Sequence, residues 1–198
     1  MSLKFSYSLI APFYDALIQG ASATIRQQSL QHLPADGNLN IFMNGIGTGL
    51  DIPYLLPQHR YVGLDLTAAM LKRAQARIGD RQLSLVQGTS LALPFADHSF
   101  DHAVLHLILA VVPDPLACLQ ETARVLKPGG SILVLDKFLR PRQHAWVRRA
   151  LSPISARIAT RMDVVFEDIL NKVPQLKLVS DEPALMGGWF RMIRLEKV

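Results

Sequence analysis

Ile41-Phe-Met-Asn-Gly-Ile-Gly-Thr-Gly49, followed by Tyr61-Val-Gly-Leu-Asp65, is the stretch that decides the fold. It runs apolar strand, glycine turn, short connector, apolar strand, acid. Gly45, Gly47 and Gly49 let the backbone turn sharply and come close to a ligand, because no Cβ intervenes and positive φ costs little. Asp65 ends the second strand twenty residues after Gly45, where a carboxylate can accept from the two hydroxyls of a ribose. Together they make a nucleoside-binding half-site; the bland alternative is a tight strand-to-helix turn with no ligand. The dinucleotide fingerprint G-x-G-x-x-G needs glycine at position 50, which is Leu50, so the pattern here is G-x-G-x-G.

Outward from this unit, strand and helix signals alternate. Strand 1 is expected over Leu39–Asn44, strand 2 over Tyr61–Asp65, strand 3 over Leu83–Gln87, strand 4 over His102–Leu107 and strand 5 over Ser131–Phe138. A helix with Pro53 early in it should follow the glycine loop and end near Pro57. Thr67 is placed to cap the next helix, with Leu71, Ala74 and Ile78 as its buried stripe and Gly79 at its end. Asp114-Pro115 caps and opens a helix to Leu126, and Lys127-Pro-Gly-Gly130 stops it. Such alternation implies a parallel sheet with helices on both faces. After a helix over Val164–Asn171, the extended runs Leu176–Glu182 and Trp189–Lys197 leave no room for a crossover helix and must pair antiparallel. Residues 1–198 thus read as a single α/β domain: a Rossmann-like, mostly parallel seven-stranded sheet ending in an antiparallel hairpin. Its parts are an N-terminal helical lid (1–33), a ligand-binding core (39–138) and a basic segment with the hairpin (139–198). In the lid, Ile10, Phe13, Tyr14, Leu17 and Ile18 share one helical side; a helix packed on the sheet edge accounts for the same pattern.

Composition narrows the class. At 198 residues with 49% hydrophobic and 19% charged side chains, the chain is globular. The longest apolar run, Ala103–Val112 with His106 inside it, is about half of what a bilayer requires. The opening residues lack a charged region followed by an apolar core and cleavage site, and the single cysteine, Cys118, excludes an internal disulfide. A cytoplasmic protein is expected. The net charge of +5 is uneven: seven Lys or Arg and no acid lie between Lys137 and Arg161, so the remainder sums to 5 − 7 = −2. That segment suits an anionic partner, or is a solvated helix face.

The G-x-G-x-G loop with its distal acid resembles motif I and the acidic strand end of the class I S-adenosylmethionine-dependent methyltransferases. Two further segments are similar to that family: Gln87-Gly-Thr-Ser-Leu-Ala-Leu-Pro-Phe-Ala-Asp-His-Ser-Phe-Asp101, like the stretch carrying its adenine loop, and Arg124-Val-Leu-Lys-Pro-Gly-Gly130, like its motif before strand 5. Ala11-Pro-Phe-Tyr-Asp15 resembles the entry of the ubiquinone and menaquinone methyltransferase group. Strands 4 and 5 resemble small bacterial phosphatidylethanolamine N-methyltransferases. The resemblance implies S-adenosylmethionine as cofactor, with Gly45, Ile46, Gly47 and Gly49 passing its methionine part and Asp65 holding the ribose. Leu66 and Met70 would contact the base, and Gly88, Thr89 and Ser90 would border it. Two departures stand out. The family's acid two residues before the first glycine is Met43 here, and the acid after the adenine-loop glycine is Thr89. One lost charged contact weakens binding by roughly ten- to a hundred-fold, although Asp51 is within reach of the methionine end.

The resemblance implies methyl transfer to a small-molecule or lipid-like acceptor, a phospholipid amine or quinone precursor, beneath the N-terminal segment. Tyr7, Tyr14, Lys137 and Arg140 are the candidate acceptor contacts. Ligands of open α/β sheets gather at the carboxyl ends of the strands, which makes His106 the one candidate base; equally, it is a histidine satisfied inside an apolar strand. Val147, Leu151, Ile154 and Ile158 recur at helical spacing among cations, which fits peripheral contact with an anionic membrane face or an ordinary packed helix. No nucleic-acid motif is present. No metal site is expected, since His102 and His106 lie roughly 13 Å apart on a strand. The rivals are a non-catalytic module of the same fold and, behind it, a nicotinamide oxidoreductase.

Overall fold

The computed structural model describes residues 22–140 and 164–198. The parallel strands are β1 (Asn40–Asn44), β2 (Arg60–Asp65), β3 (Gln82–Gln87), β4 (Phe100–His106) and β5 (Leu126–Lys137). β6 (Leu176–Leu185) and β7 (Phe190–Lys197) complete one seven-stranded sheet in the order β3-β2-β1-β4-β5-β7-β6, with β7 antiparallel to both neighbours. The helices are α1 over 22–30, α2 (Ala68–Gln75), α3 (Pro115–Val125) and α4 (Phe166–Leu170).

Alternating strand residues feed two cores, one on each face of the sheet. Phe42, Leu105, Ile132 and Val134 pack with Leu119 of α3 and Phe166 of α4. Ile41, Met43, Val104 and Leu133 pack with Leu30 of α1, Leu33 just beyond it, and Ala74 of α2. Burial on both faces explains why β1 is an apolar run rather than an alternating one. β1 has β2 on one side and β4 on the other, so the chain reverses its direction of winding there, and the carboxyl ends of β1 and β4 diverge into a crevice.

Local differences from the sequence reading have clear causes. The helix expected after the glycine loop is a single 3-10 turn, Ile52–Tyr54: Leu55 is already extended, and Pro57 disfavours helical backbone in the residue before it. β5 begins at Leu126, immediately after α3, so Lys127-Pro-Gly-Gly130 is absorbed as a register shift against Phe100–His102 instead of standing as a separate turn. Gly130 permits this, since a Cβ there would sit 2.4 Å from the Asp101 carbonyl oxygen. Thr67 is the N-cap of α2 but makes no side-chain cap bond; its N–H donates to Asp65 Oδ1 at 2.9 Å. Asp114 caps α3 through the Ala117 N–H at 3.0 Å. β4 starts at Phe100 and ends at His106, where Leu107 turns out of the strand with φ 60°.

Candidate active site

The glycine loop leaves β1 at its carboxyl end and is tied to β2, with the Ile46 N–H donating to the Leu64 carbonyl at 3.0 Å. Gly45 holds φ 71°, and a Cβ there would sit 2.5 Å from Ile108 Cδ1, so this position requires glycine twice over. A Cβ on Gly47 would meet nothing closer than the Gly45 carbonyl oxygen at 3.9 Å; the space it would enter is a cavity of about 230 Å³. Asp65 stands at the rim of that cavity, its Oδ2 accepting from the Gly47 N–H at 3.0 Å and its Oδ1 from Thr67. Burial pushes its carboxyl above the usual range, opposed by the Thr67 and Gly47 N–H groups.

One wall of the cavity is formed by Leu66, Met70, Thr89, Ser90 and Leu91. Beneath it, the Ser90 hydroxyl donates to Asn44 Oδ1 at 2.6 Å, and Asn44 Nδ2 donates to Thr122 Oγ1 at 3.0 Å and approaches Cys118 Sγ at 3.5 Å. Asn44, the residue before the first glycine, thus braces the wall from below. Opposite stand Leu107, Ile108, Val111, Val112 and Pro113, the segment that leaves β4.

The remaining end is polar and deeply buried. Arg26, Asp51 and His106 all line the cavity at 5%, 3% and 5% exposure. Arg26 Nη1 donates to both Asp51 oxygens at 2.9 Å, and Arg26 Nε donates to Ser22 Oγ at 3.1 Å. His106 Nδ1 lies 2.8 Å from Asp51 Oδ1, an oxygen that can only accept, so Nδ1 carries the proton; Nε2 faces the Ser29 hydroxyl at 2.9 Å. Burial raises the Asp51 carboxyl, but Arg26 and His106 outweigh it and hold that carboxyl well below the ordinary range.

Of the residues expected from the sequence, Gly45, Ile46, Gly47, Asp65, Leu66, Met70, Thr89, Ser90 and His106 line the cavity. Gly49 and Gly88 do not. Gly49 stands behind the loop, where a Cβ would meet Ile52 Cδ1 at 2.5 Å and the Ala74 Cα at 3.0 Å; Gly88 packs on Leu64. Met43 is buried in the core beneath the loop and also lies off the cavity. Lys137, at the end of β5, is half-buried, which pushes its ammonium pKa down despite Asp136; neither it nor the exposed Arg140 lines the cavity. Tyr7, Tyr14 and most of the basic segment lie outside the described residues. The sequence reading missed Arg26 and Ser29. Their signal was present: Ser22, Arg26 and Ser29 recur at i, i+4 and i+7, one helical face, and all three are buried.

The arrangement fits a nucleoside carrying an amino-acid tail: an apolar slot, a hydroxyl acceptor beside it and a fixed pair of opposite charges at the far end. The comparisons agree. Residues 43–134 match the family model described as "Methyltransferase domain". The chain is 29% identical over 189 residues to a phosphatidylethanolamine N-methyltransferase of Cereibacter sphaeroides, covering 93% of this chain and 92% of that one. It is 37% identical over 141 residues to a demethylmenaquinone methyltransferase of Listeria monocytogenes, covering 66% of this chain and 60% of that protein. The fold is shared with a methyltransferase solved in complex with the Haloferax volcanii Trm112 activator (TM-score 0.78, 18% identity, 96% of both chains). It is also shared with a Thermotoga maritima protein described as a possible histamine N-methyltransferase (TM-score 0.75, 20% identity, all of both chains). Glycine loop, strand-end acid, terminal hairpin and these likenesses together support a class I S-adenosylmethionine-dependent methyltransferase.

Proposed function

We propose that the acceptor is lipid-like, with the primary or methylated amine of a phospholipid headgroup first among the candidates. The observation that carries this reading is the extent of the likeness to the phosphatidylethanolamine enzyme, over nine-tenths of both chains. The apolar segment Leu107–Pro113 facing the glycine loop supports it, since this wall presents no charged side chain to an acceptor's hydrocarbon neighbourhood. The second reading, a quinone precursor, has the higher identity in its favour but over a shorter shared length.

When bound, S-adenosylmethionine supplies a methyl group already activated on a sulfonium, so the protein's part is to position. Gly45 and Gly47 keep the loop clear of side chains. Asp65 accepts from the ribose hydroxyls, and Leu66, Met70, Thr89 and Ser90 border the base. His106 has both ring nitrogens engaged within the protein, which supports a role in orienting Asp51 ahead of the base role expected from the sequence. The seven cations between Lys137 and Arg161 would draw the protein to the anionic surface that holds such a substrate. No helix among the described residues is long and apolar enough to cross a membrane.

The test is transfer of labelled methyl from S-adenosylmethionine to vesicles containing phosphatidylethanolamine, run beside a demethylated quinone precursor. Label in the phospholipid is expected. Label only in the quinone precursor moves the reading to the second acceptor, and label in neither, with protein that binds S-adenosylhomocysteine, rejects both.

A further inference from the structure

We propose that Asp136, buried behind the cavity, is the positioning residue for the acceptor side of the site: its carboxylate holds the back of the turn whose front is the Leu107–Pro113 wall. The inference rests on the reading of that wall as the acceptor's side and adds a residue to it.

The wall is a segment that does not complete its own hydrogen bonding. Leu107 leaves β4 at φ 60°, its N–H still donating to the Leu135 carbonyl of β5 at 2.8 Å. The next residues close one turn, in which the Val111 and Val112 N–H groups both donate to the Ile108 carbonyl at 3.0 Å. Its side chains divide: Leu107, Ile108, Val111 and Val112 line the cavity, whereas Leu109 and Ala110 are fully buried at its back. The first N–H groups of such a turn find no carbonyl within it. Closed off from water, they need an acceptor from elsewhere.

Asp136 is that acceptor. It is 1% exposed, and its Oδ2 accepts from the Ala110 N–H at 3.0 Å while its Oδ1 accepts from the N–H of Lys137 at 2.8 Å. Burial pushes its carboxyl above the usual range, opposed by the N–H groups of Ala110, Lys137 and Leu109 and by the Lys137 charge. A carboxylate at the end of β5 thus caps a turn that follows β4, 26 residues earlier. Packing alone would be served by an apolar side chain, as it is at Ile132 and Val134 on the same face of β5.

Ile108 links this turn to the reaction. Its Cδ1 lies 2.5 Å from where a Cβ on Gly45 would stand, so movement of the turn moves the surface that faces the glycine loop. In-line transfer is sensitive to such movement, since a displacement of about 1 Å can lower a rate about a hundred-fold. Asp65 and Gly47 are tied to each other on the cofactor side and do not depend on the turn for their bond.

The experiment compares full-length wild type with Asp136→Asn, which keeps the shape and one acceptor oxygen, and Asp136→Leu, which keeps neither oxygen, after thermal melts confirm folding. The readouts are calorimetric affinity for S-adenosylhomocysteine, kcat and KM for labelled transfer to phosphatidylethanolamine vesicles, and hydrogen exchange of the backbone amides over 107–113. S-adenosylhomocysteine affinity should stay within about three-fold, while kcat/KM for the vesicles falls about ten- to a hundred-fold in Asp136→Leu and by less in Asp136→Asn. Exchange at Leu109 and Ala110 should rise at least about ten-fold in Asp136→Leu. Equal losses of cofactor affinity and turnover overturn the assignment, as does unchanged turnover with faster exchange, which leaves Asp136 a structural role alone. Unchanged exchange over 107–113 in both variants overturns it whatever the acceptor. Should Asp136→Leu not fold, Asp136→Asn decides by the same signs. Wild type that labels no phosphatidylethanolamine refutes the headgroup reading instead; turnover is then read on the demethylated quinone precursor, and the exchange arm judges Asp136 in either case.

Discussion

Replacing Asp65 with alanine should weaken cofactor binding far more than replacing Asp101, although both are partly buried aspartates on strands of the same sheet, with only β1 between them. Asp65 is at the carboxyl end of β2 on the cavity rim, and Asp101 is near the start of β4, at the opposite edge. A hydrogen bond to a charged group contributes about 1.5–3 kcal/mol, and two bonds to one carboxylate fall short of additive. Loss of the ribose acceptor should therefore cost about 2–4 kcal/mol, or roughly 30- to 1000-fold in affinity for S-adenosylhomocysteine. Asp101 instead accepts the Asn40 N–H at 2.8 Å and pairs with Lys127 at 2.7 Å. Its removal should cost about 1–3 kcal/mol of stability through the orphaned N–H and leave affinity within about two-fold. Titration calorimetry on both variants, after thermal melts confirm that each is folded, reads the difference. Equal losses of affinity would refute the ribose assignment.

Acid should act on the two cavity carboxylates with opposite sign. The folded-state pKa of Asp65 is raised, so Asp65 takes up its proton more readily folded than unfolded and loses acceptor capacity early: S-adenosylhomocysteine affinity should fall at a pH above the ~3.9 of a free aspartate, without loss of stability from that group. The Asp51 pKa is depressed, so its contribution to stability is present above about pH 4 and is lost as pH falls toward its folded value, which urea unfolding across pH 6 to 2 would measure. Gly45→Ala should cost more than Gly79→Ala in chemical denaturation. Both hold positive φ, about 1 kcal/mol each, but only position 45 adds a clash with Ile108, about 1–3 kcal/mol more. Arg191→Met should destabilise by about 2–3 kcal/mol in urea, because the buried guanidinium pairs with Glu167 at 2.7 Å and Asp181 at 2.6 Å, both partly exposed. Cys118, its thiol pushed up to about 12 by burial, should resist a thiol-reactive disulfide reagent in the native protein and react on unfolding.

The sheet was legible because parallel central strands are buried on both faces and therefore print as apolar runs, and because Gly45–Gly49 and Asp65 combine two local necessities, a left-handed turn and a strand-end acceptor. Boundaries were less so. Lys127-Pro-Gly-Gly130 carries every sign of a turn, yet pairing with β4 converts it to a bulged strand, a tertiary effect that no local pattern encodes. The charged end of the site was half legible. Asp51 stood out because it lies two residues after Gly49 and Met43 had left a need, but nothing local connects it to Arg26, 25 residues earlier, or to His106, 55 residues later. Ser22, Arg26 and Ser29 are polar groups on the inner face of α1, a pattern that reads as a flaw in an amphipathic stripe until the cavity supplies its purpose.

The measurement that tests the central claim most directly is a crystal structure of the full chain with S-adenosylhomocysteine. The account predicts the nucleoside in the cavity between the glycine loop and Leu107–Pro113, its ribose hydroxyls on Asp65 and its base against Leu66 and Met70. A nucleoside bound outside that cavity, or lying with its ribose away from Asp65, would contradict it.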